Sequence, residues 1–163
     1  MATFEGSNKD RRFLARCMGL AWGSDHERVK IGAMVIKGSS VLGVGFNTMR
    51  NHPDYVFDKL AQSSEHAEAA ALRRAGSSAE GATLYVARTS LKDDRPLECR
   101  PCPFCRSNLY SAGIKRVVWT TNLGIAEERF GPVLTWPREV LCRRDWQNLP
   151  SEAREAFAAL QKG

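Results

Sequence analysis

EHAEAAALRRAG at 65–76 and PCPFCRSNLYSA at 101–112 are the two stretches that decide the fold of this chain of 163 residues. The first is rich in alanine and ends in Gly76, a common helix C-cap, which predicts a helix with His66 in its first turn. The second has Pro103 at a position that the first turn of a helix tolerates, followed by apolar residues at helical spacing. It therefore predicts another helix, which begins at Pro103.

Hydrophobic patterning adds further elements on both sides of these helices. Residues 8–22 carry apolar side chains at helical spacing, and 31–37 and 41–47 are apolar runs joined by a short glycine–serine turn, which is typical of a β-hairpin. Strands are predicted at 83–88 and 114–121, each after a helix, which favours parallel strands with crossover helices. The order helix, hairpin, helix, strand, helix, strand predicts a three-layer α/β domain.

The chain beyond residue 121 has a weaker pattern. We predict a short helical stretch at 126–130, apolar runs at 133–136 and 140–141, and a last helix capped by Ser151. No repeat and no low-complexity segment is found in the sequence.

Composition indicates one compact domain over 1–163, with a core at about 8–121 on which 122–163 packs. The chain is 43% hydrophobic and 26% charged, with no apolar run long enough for a membrane span and no secretory signal. Five cysteines are an odd number and favour a reducing, cytoplasmic location; Cys17 and Cys142 are expected to be buried. The net charge of +6 favours an anionic partner, but the dispersed basic residues do not distinguish a nucleotide from a nucleic acid.

His66, Cys102 and Cys105 form a ligand set suited to zinc. Imidazole and thiolate bind Zn²⁺ well, and three protein ligands leave a fourth tetrahedral position open, as in catalytic zinc sites. The two cysteines straddle a predicted helix N-terminus, which favours the thiolate. Glu68 follows His66 by two residues, so it is expected beside the metal without binding it, as a general acid and base.

Cys99 provides an alternative. It precedes Cys102 by the interval that separates Cys102 from Cys105, so all three thiols with His66 would make a closed, structural zinc site. In a closed site, Glu68 would lie beside the metal without a catalytic role.

These residues occur within a longer series of motifs. The series resembles the cytidine and deoxycytidylate deaminase superfamily, and most closely its deoxycytidylate deaminases and their phage relatives, from about residue 10 to 121. The further motifs are IGAMVIK at 31–37, GVGFN at 43–47, TLYV at 83–86 and AGIKRVV at 112–118. The resemblance implies a three-layer α/β/α fold with a mixed five-stranded sheet. Its fifth strand would come from 123–145, where we find only the two apolar runs named above.

The resemblance also implies roles for the zinc site. His66, Cys102 and Cys105 would hold Zn²⁺, and Glu68 would carry protons from water to the ring nitrogen and to the departing amine. These are the roles that hydrolytic deamination of a cytosine requires.

Substrate contacts are implied at four more positions. Asn47 would hold the sugar hydroxyl or the base, the alternative being that it only caps a turn. The backbone of Ala67 would contact the edge of the base. Phe46 and Phe104 could line the pocket, although a core role is as well supported for either ring.

The loop 89–101 is longer than relatives commonly have, and it is expected near the pocket mouth, where loops tune substrate choice. A phosphate could be bound by one of four arginines: Arg50, Arg88, Arg95 or Arg100. The expected reaction is conversion of dCMP to dUMP, with a small nucleotide as the partner and a homo-oligomer as in relatives. The alternatives are a deaminase of polynucleotide (tRNA adenosine or single-stranded cytosine), then of a free nucleoside or base, then a non-catalytic zinc module that binds RNA or protein.

Overall fold

The computed structural model describes residues 5–49 and 65–131, in which α-helices pack on both faces of one mixed β-sheet. The helices and strands predicted up to residue 121 are confirmed, with ends that differ by one or two residues. In chain order the elements are α1 (Asn8–Ala21), β1 (Lys30–Lys37), β2 (Ser40–Phe46), α2 (Ala67–Ala75), a 3-10 turn (Gly76–Ala79), β3 (Thr83–Thr89), β4 (Pro96–Leu97), α3 (Pro103–Ser111), β5 (Arg116–Thr121) and β6 (Gly124–Arg129).

The sheet has the strand order β2-β1-β3-β5-β6, and β4 pairs with the end of β3. Strands β3 and β5 are parallel, as predicted, and the other pairs are antiparallel. The predicted mixed sheet of five strands is therefore confirmed as the main path. The insertion 89–101 adds β4 as a short sixth strand that the sequence did not predict.

Helices cover both faces of the sheet, as the three-layer α/β/α prediction requires. Helix α1 buries Phe13 on one face, in a cluster with Met34 and Tyr85. Helices α2 and α3 lie on the other face, where Ala71 and Leu109 belong to the larger core cluster. The face that carries α2 and α3 is the one on which the candidate ligands lie.

The segment predicted as a short helix at 126–130 is instead mostly strand β6. Its register is fixed by pairing with β5 and by two ion pairs, in which Glu127 binds Arg116 and Glu128 binds Arg106. The two glutamates point to opposite faces of the sheet, as alternation in a strand demands. Pairing with β5 thus overrides the helix propensity of this stretch.

The fifth strand of the main path is β6, which precedes the apolar runs at 133–136 and 140–141. Those runs, the helix predicted after Ser151, and Cys142 lie outside the described residues, so the single-domain organisation stays a prediction. Cys17 is fully buried, as expected. Within the described ranges, no helix combines the length and the apolar character needed to cross a membrane.

Candidate active site

Two of the candidate zinc ligands are the N-cap residues of helices. His66 precedes α2 with extended backbone (φ −76°, ψ 150°), and Cys102 precedes α3 in the same way (φ −66°, ψ 160°). The backbone N–H of Cys105 donates to the Cys102 sulfur at 3.4 Å. A first-turn amide thus stabilises negative charge on the Cys102 sulfur.

The three candidate ligands converge at one point. The His66 Nδ1 atom lies 3.3 Å from the Cys105 sulfur and 3.8 Å from the Cys102 sulfur. All three ligand atoms lie within 4.8 Å of one another. Tetrahedral zinc with Zn–S of about 2.3 Å and Zn–N of about 2.0 Å places neighbouring ligand atoms roughly 3.5–3.8 Å apart. The donor set and its spacing therefore fit a zinc ion.

The two thiols of the site differ in their proton affinity in the metal-free protein. The pKa of Cys102 is lowered to about 4, first because Cys105 hydrogen-bonds to its sulfur and then, against the effect of burial, because His66 does so too. The same contact with Cys102, together with burial, raises the pKa of Cys105. The site thus favours one thiolate before metal binds, and zinc binding would release the remaining thiol proton.

Glu68 lies in the first turn of α2, and only 5% of its surface is exposed. Burial raises the pKa of this carboxyl, and the neighbouring His66 opposes the shift. A carboxyl with a raised pKa holds an accepted proton more firmly than an ordinary carboxyl does, which suits a group that accepts and returns a proton. Its atoms are not among the three that converge on the candidate zinc position.

Cys99 is buried beside the site but does not belong to the group of converging ligand atoms. Its backbone N–H donates to the Thr120 carbonyl oxygen at 3.0 Å, which ties it to β5. Burial, and to a lesser degree Glu68, raises the pKa of the Cys99 thiol, and the Arg88 guanidinium opposes this shift. The structure gives no support to the closed four-ligand alternative.

Asn47 follows β2 and is anchored by its side-chain amide. Its Oδ1 atom accepts from the Ile31 N–H at 2.9 Å, and its Nδ2 atom donates to the Val29 carbonyl oxygen at 2.8 Å. The next residue, Thr48, forms a two-hydrogen-bond bridge with Glu65, so Asn47 and His66 lie on adjoining extended segments. Asn47 therefore fixes the strand ends beside the site, and a further contact with substrate stays a prediction.

The other predicted pocket residues differ in position. Ala67 is fully buried at the start of α2, where its N–H has no acceptor within the helix. Phe104 is half-buried in the first turn of α3, next to Cys105. Phe46 instead packs its ring against Gly23 at the end of α1. The prediction that Phe46 lines the pocket is not supported, because its ring lies on the face of the sheet away from the ligands.

The four arginines proposed to bind a phosphate differ in their position and exposure. Arg50 lies outside the described residues. Arg95 has 65% of its side chain exposed and pairs with Asp93 at 3.3 Å on the surface of the insertion, so it does not belong to the site. Arg100 is half-buried two residues before Cys102, and Arg88 is half-buried near the end of β3.

Sequence reasoning missed the residue that fixes the insertion 89–101. The Thr120 hydroxyl donates to the Leu97 carbonyl oxygen at 2.7 Å and accepts from the Arg88 N–H at 3.1 Å. A single threonine in a buried strand gives no local signal of such a role. Trp119 adds a second anchor through its indole N–H, which donates to Glu98.

Comparison with known proteins agrees with this geometry. Residues 7–121 match the family model of the cytidine and deoxycytidylate deaminase zinc-binding region. The chain is 31% identical to the deoxycytidylate deaminase of Mycobacterium phage D29, over 68% of this chain and 92% of that protein. It is also 31% identical to the riboflavin biosynthesis protein RibD of Aquifex aeolicus (strain VF5), over 69% of this chain but only 28% of the length of RibD.

Similarity to solved structures extends to the fold. The apo crystal structure of dCMP deaminase from cyanophage S-TIM5 aligns with a TM-score of 0.52 and 24% identity, over 69% of this chain and 82% of that one. Another crystal structure of the S-TIM5 enzyme, in complex with dCMP and dUMP, aligns with a TM-score of 0.50. The matching zinc-binding region, the converging ligands and the shared fold give one conclusion. The chain belongs to the cytidine and deoxycytidylate deaminase family, whose enzymes are zinc-dependent hydrolases.

Proposed function

We propose that this chain catalyses the hydrolytic deamination of a cytosine nucleotide, dCMP to dUMP with release of ammonia. The observation that carries the proposal is a cluster of three candidate ligands among the described residues, with the buried carboxyl of Glu68 beside it. The match to the phage D29 deoxycytidylate deaminase, over nearly the whole of that protein, supports dCMP as the substrate.

His66, Cys102 and Cys105 would hold a zinc ion, which would act as a Lewis acid and lower the pKa of a water molecule. Glu68 accepts a proton from this water and delivers it to N3 of the cytosine ring while the oxygen adds to C4. Glu68 then transfers the second proton to the amino group, the C4–N bond breaks, and ammonia leaves as the carbonyl forms. One water is consumed for each ammonia released, and Glu68 returns to its starting state.

Groups at the rim of the site would orient the base. The backbone N–H of Ala67 can donate to the edge of the base, and Asn47 keeps one amide hydrogen and one lone pair beyond its two backbone contacts. A base held in this way presents C4 to the water and N3 to Glu68. The homo-oligomer expected from the resemblance belongs to the same proposal and can be checked by light scattering.

A second candidate is the deamination of a free nucleoside, base or other small aminopyrimidine. The match to RibD, at the same identity as to the phage enzyme, shows that the matched region is not confined to proteins named as deoxycytidylate deaminases, and the second candidate stands for that reason. It differs from the first candidate in not requiring a phosphate on the substrate.

The test is ammonia release by the purified, zinc-loaded protein. Substrates are dCMP, CMP, deoxycytidine, cytidine, a short single-stranded DNA and a tRNA, with the Glu68→Ala variant as the blank. We expect the highest kcat/KM with dCMP. Turnover of an oligomer alone would establish the polynucleotide reading, and turnover of deoxycytidine as efficient as that of dCMP would establish the second candidate.

A further inference from the structure

Arg88 is the next-to-last residue of β3 and belongs to the face of the sheet that carries the candidate active site. Leu84 and Val86 of the same strand lie in the core cluster with α2 and α3, whereas Tyr85 lies in the cluster with α1. Side chains alternate along a strand, so Arg88 shares its face with Val86. The Arg88 guanidinium lowers and the Glu68 carboxyl raises the pKa of the Cys99 thiol, so both groups lie near this buried residue of the insertion.

The strand register places Arg88 in one row with Asn47. Asn47 is hydrogen-bonded to Ile31 of β1, Ile31 is the cross-strand partner of Arg88, and Arg88 in turn pairs with Leu97 of β4. Two strand spacings separate the backbones of Asn47 and Arg88, a distance of about 10 Å. A nucleotide whose sugar lies beside Asn47 would therefore have its phosphate within reach of the Arg88 side chain.

The charge of Arg88 has a different environment from the charges of Arg73, Arg106 and Arg116. Arg73, Arg106 and Arg116 each bind a carboxylate of this chain. Among the ion pairs between described residues, none includes Arg88. Its Nε atom is buried without a hydrogen-bond partner. A buried Nε–H without an acceptor costs stability that an anionic ligand would restore.

We propose that Arg88 binds the phosphate of the substrate and so determines the preference for a nucleotide over a nucleoside. This inference rests on the proposed deamination of dCMP. The planar guanidinium offers a phosphate two parallel N–H donors. Because Arg88 pairs with β4 within the insertion, the insertion would support the residue that reads the phosphate.

The test compares kcat and KM for dCMP and for deoxycytidine in the wild type and in Arg88→Gln. We expect the ratio of kcat/KM for dCMP over deoxycytidine to fall roughly ten- to hundredfold, mainly through KM for dCMP. The Arg95→Gln variant removes the same charge from the exposed insertion and is expected to keep the wild-type ratio. A purely structural role of Arg88 would affect both substrates alike and leave the ratio unchanged.

The outcomes separate this inference from the proposed function. A wild type that deaminates neither compound rejects the proposed function and this inference with it. A wild type that prefers dCMP, with an unchanged ratio in Arg88→Gln, rejects only the role of Arg88. If Arg88→Gln does not fold, Arg88→Lys carries the test, because lysine keeps the charge but not the paired donors. Its ratio is then expected to fall several-fold, and an unchanged ratio overturns the proposal.

Discussion

Gly45 of β2 lies so close to Ala67 of α2 that a Cβ atom at Gly45 would stand 2.7 Å from the Ala67 carbonyl oxygen. The same Cβ would stand 2.6 Å from the Ala71 backbone nitrogen, so it would meet both ends of one backbone hydrogen bond of the helix. Real Cβ atoms do not approach backbone atoms this closely. The lack of a side chain at Gly45 therefore sets the height of α2 above the sheet, and with it the position of His66.

We expect Gly45→Ala to lower the free energy of unfolding by about 1–3 kcal/mol, because the helix must move away from the strand. The displacement also moves His66 relative to the two cysteines, so zinc affinity should fall. Urea unfolding and a zinc competition titration measure the two effects.

Gly19→Ala is the matched control for this change. Nothing lies within 4 Å of a Cβ at Gly19, which is in α1. Alanine favours a helix over glycine by up to about 1 kcal/mol, so the variant should be as stable as the wild type or slightly more so. Equal stability of Gly45→Ala and Gly19→Ala would contradict the close packing of α2 on β2.

The sequence predicted those parts of the fold in which local pattern and tertiary pairing agree. Helix α1 has helical periodicity and a capping box between Ser7 and Asp10, and the hairpin of β1 and β2 has apolar runs on both sides of a turn. Strand β6 was not predicted, because its alanine and glutamates favour a helix locally. Its strand conformation comes from pairing with β5 and from ion pairs to Arg106 and Arg116, which are distant in sequence.

Some residues of the candidate site could likewise be predicted from the sequence, and others could not. His66 and Cys102 could be located because each stands at the start of a helix that its own sequence predicts. The position of Phe46 could not be predicted, because the motif does not say to which face of the sheet a strand residue points. Arg88 and Arg95 are equivalent in the sequence, and only the strand register and the surface exposure of the insertion separate them.

We expect His66→Ala, Cys102→Ser and Cys105→Ser each to lose most of the bound zinc, because each removes one of the three converging ligands. Zinc content per chain, measured by atomic emission after dialysis, tests this. Cys99→Ser is the matched control: it changes a buried thiol beside the site but should retain one zinc per chain. Loss of zinc from Cys99→Ser would instead support the closed site with four protein ligands.

Glu68→Gln should keep one zinc per chain and lose turnover by several orders of magnitude. The amide retains the shape of the side chain in its buried position but cannot transfer a proton between water and the base. Zinc content and the rate of ammonia release are measured on the same preparation. A variant that retains both zinc and wild-type turnover would show that another group carries the proton.

Arg116 binds the Asp10 carboxylate through two N–H groups at 2.9 and 3.0 Å, which joins α1 to β5. Burial alone would raise the pKa of Asp10, but hydrogen bonds from Arg116, Ser7 and Tyr85 outweigh it and hold the pKa well below the ordinary value of 3.8. The stability that this carboxylate contributes is therefore complete above pH 3.8 and is lost as the pH falls further, towards its lowered value.

We expect Asp10→Asn to lower the free energy of unfolding at pH 7 by about 3 kcal/mol, because it leaves a buried guanidinium with a poorer partner. Urea unfolding from pH 7 to pH 3 should show the difference between wild type and variant shrinking only below about pH 4. A difference that stays constant from pH 7 down to pH 3, or one that has vanished already at pH 5, would contradict the lowered pKa of Asp10.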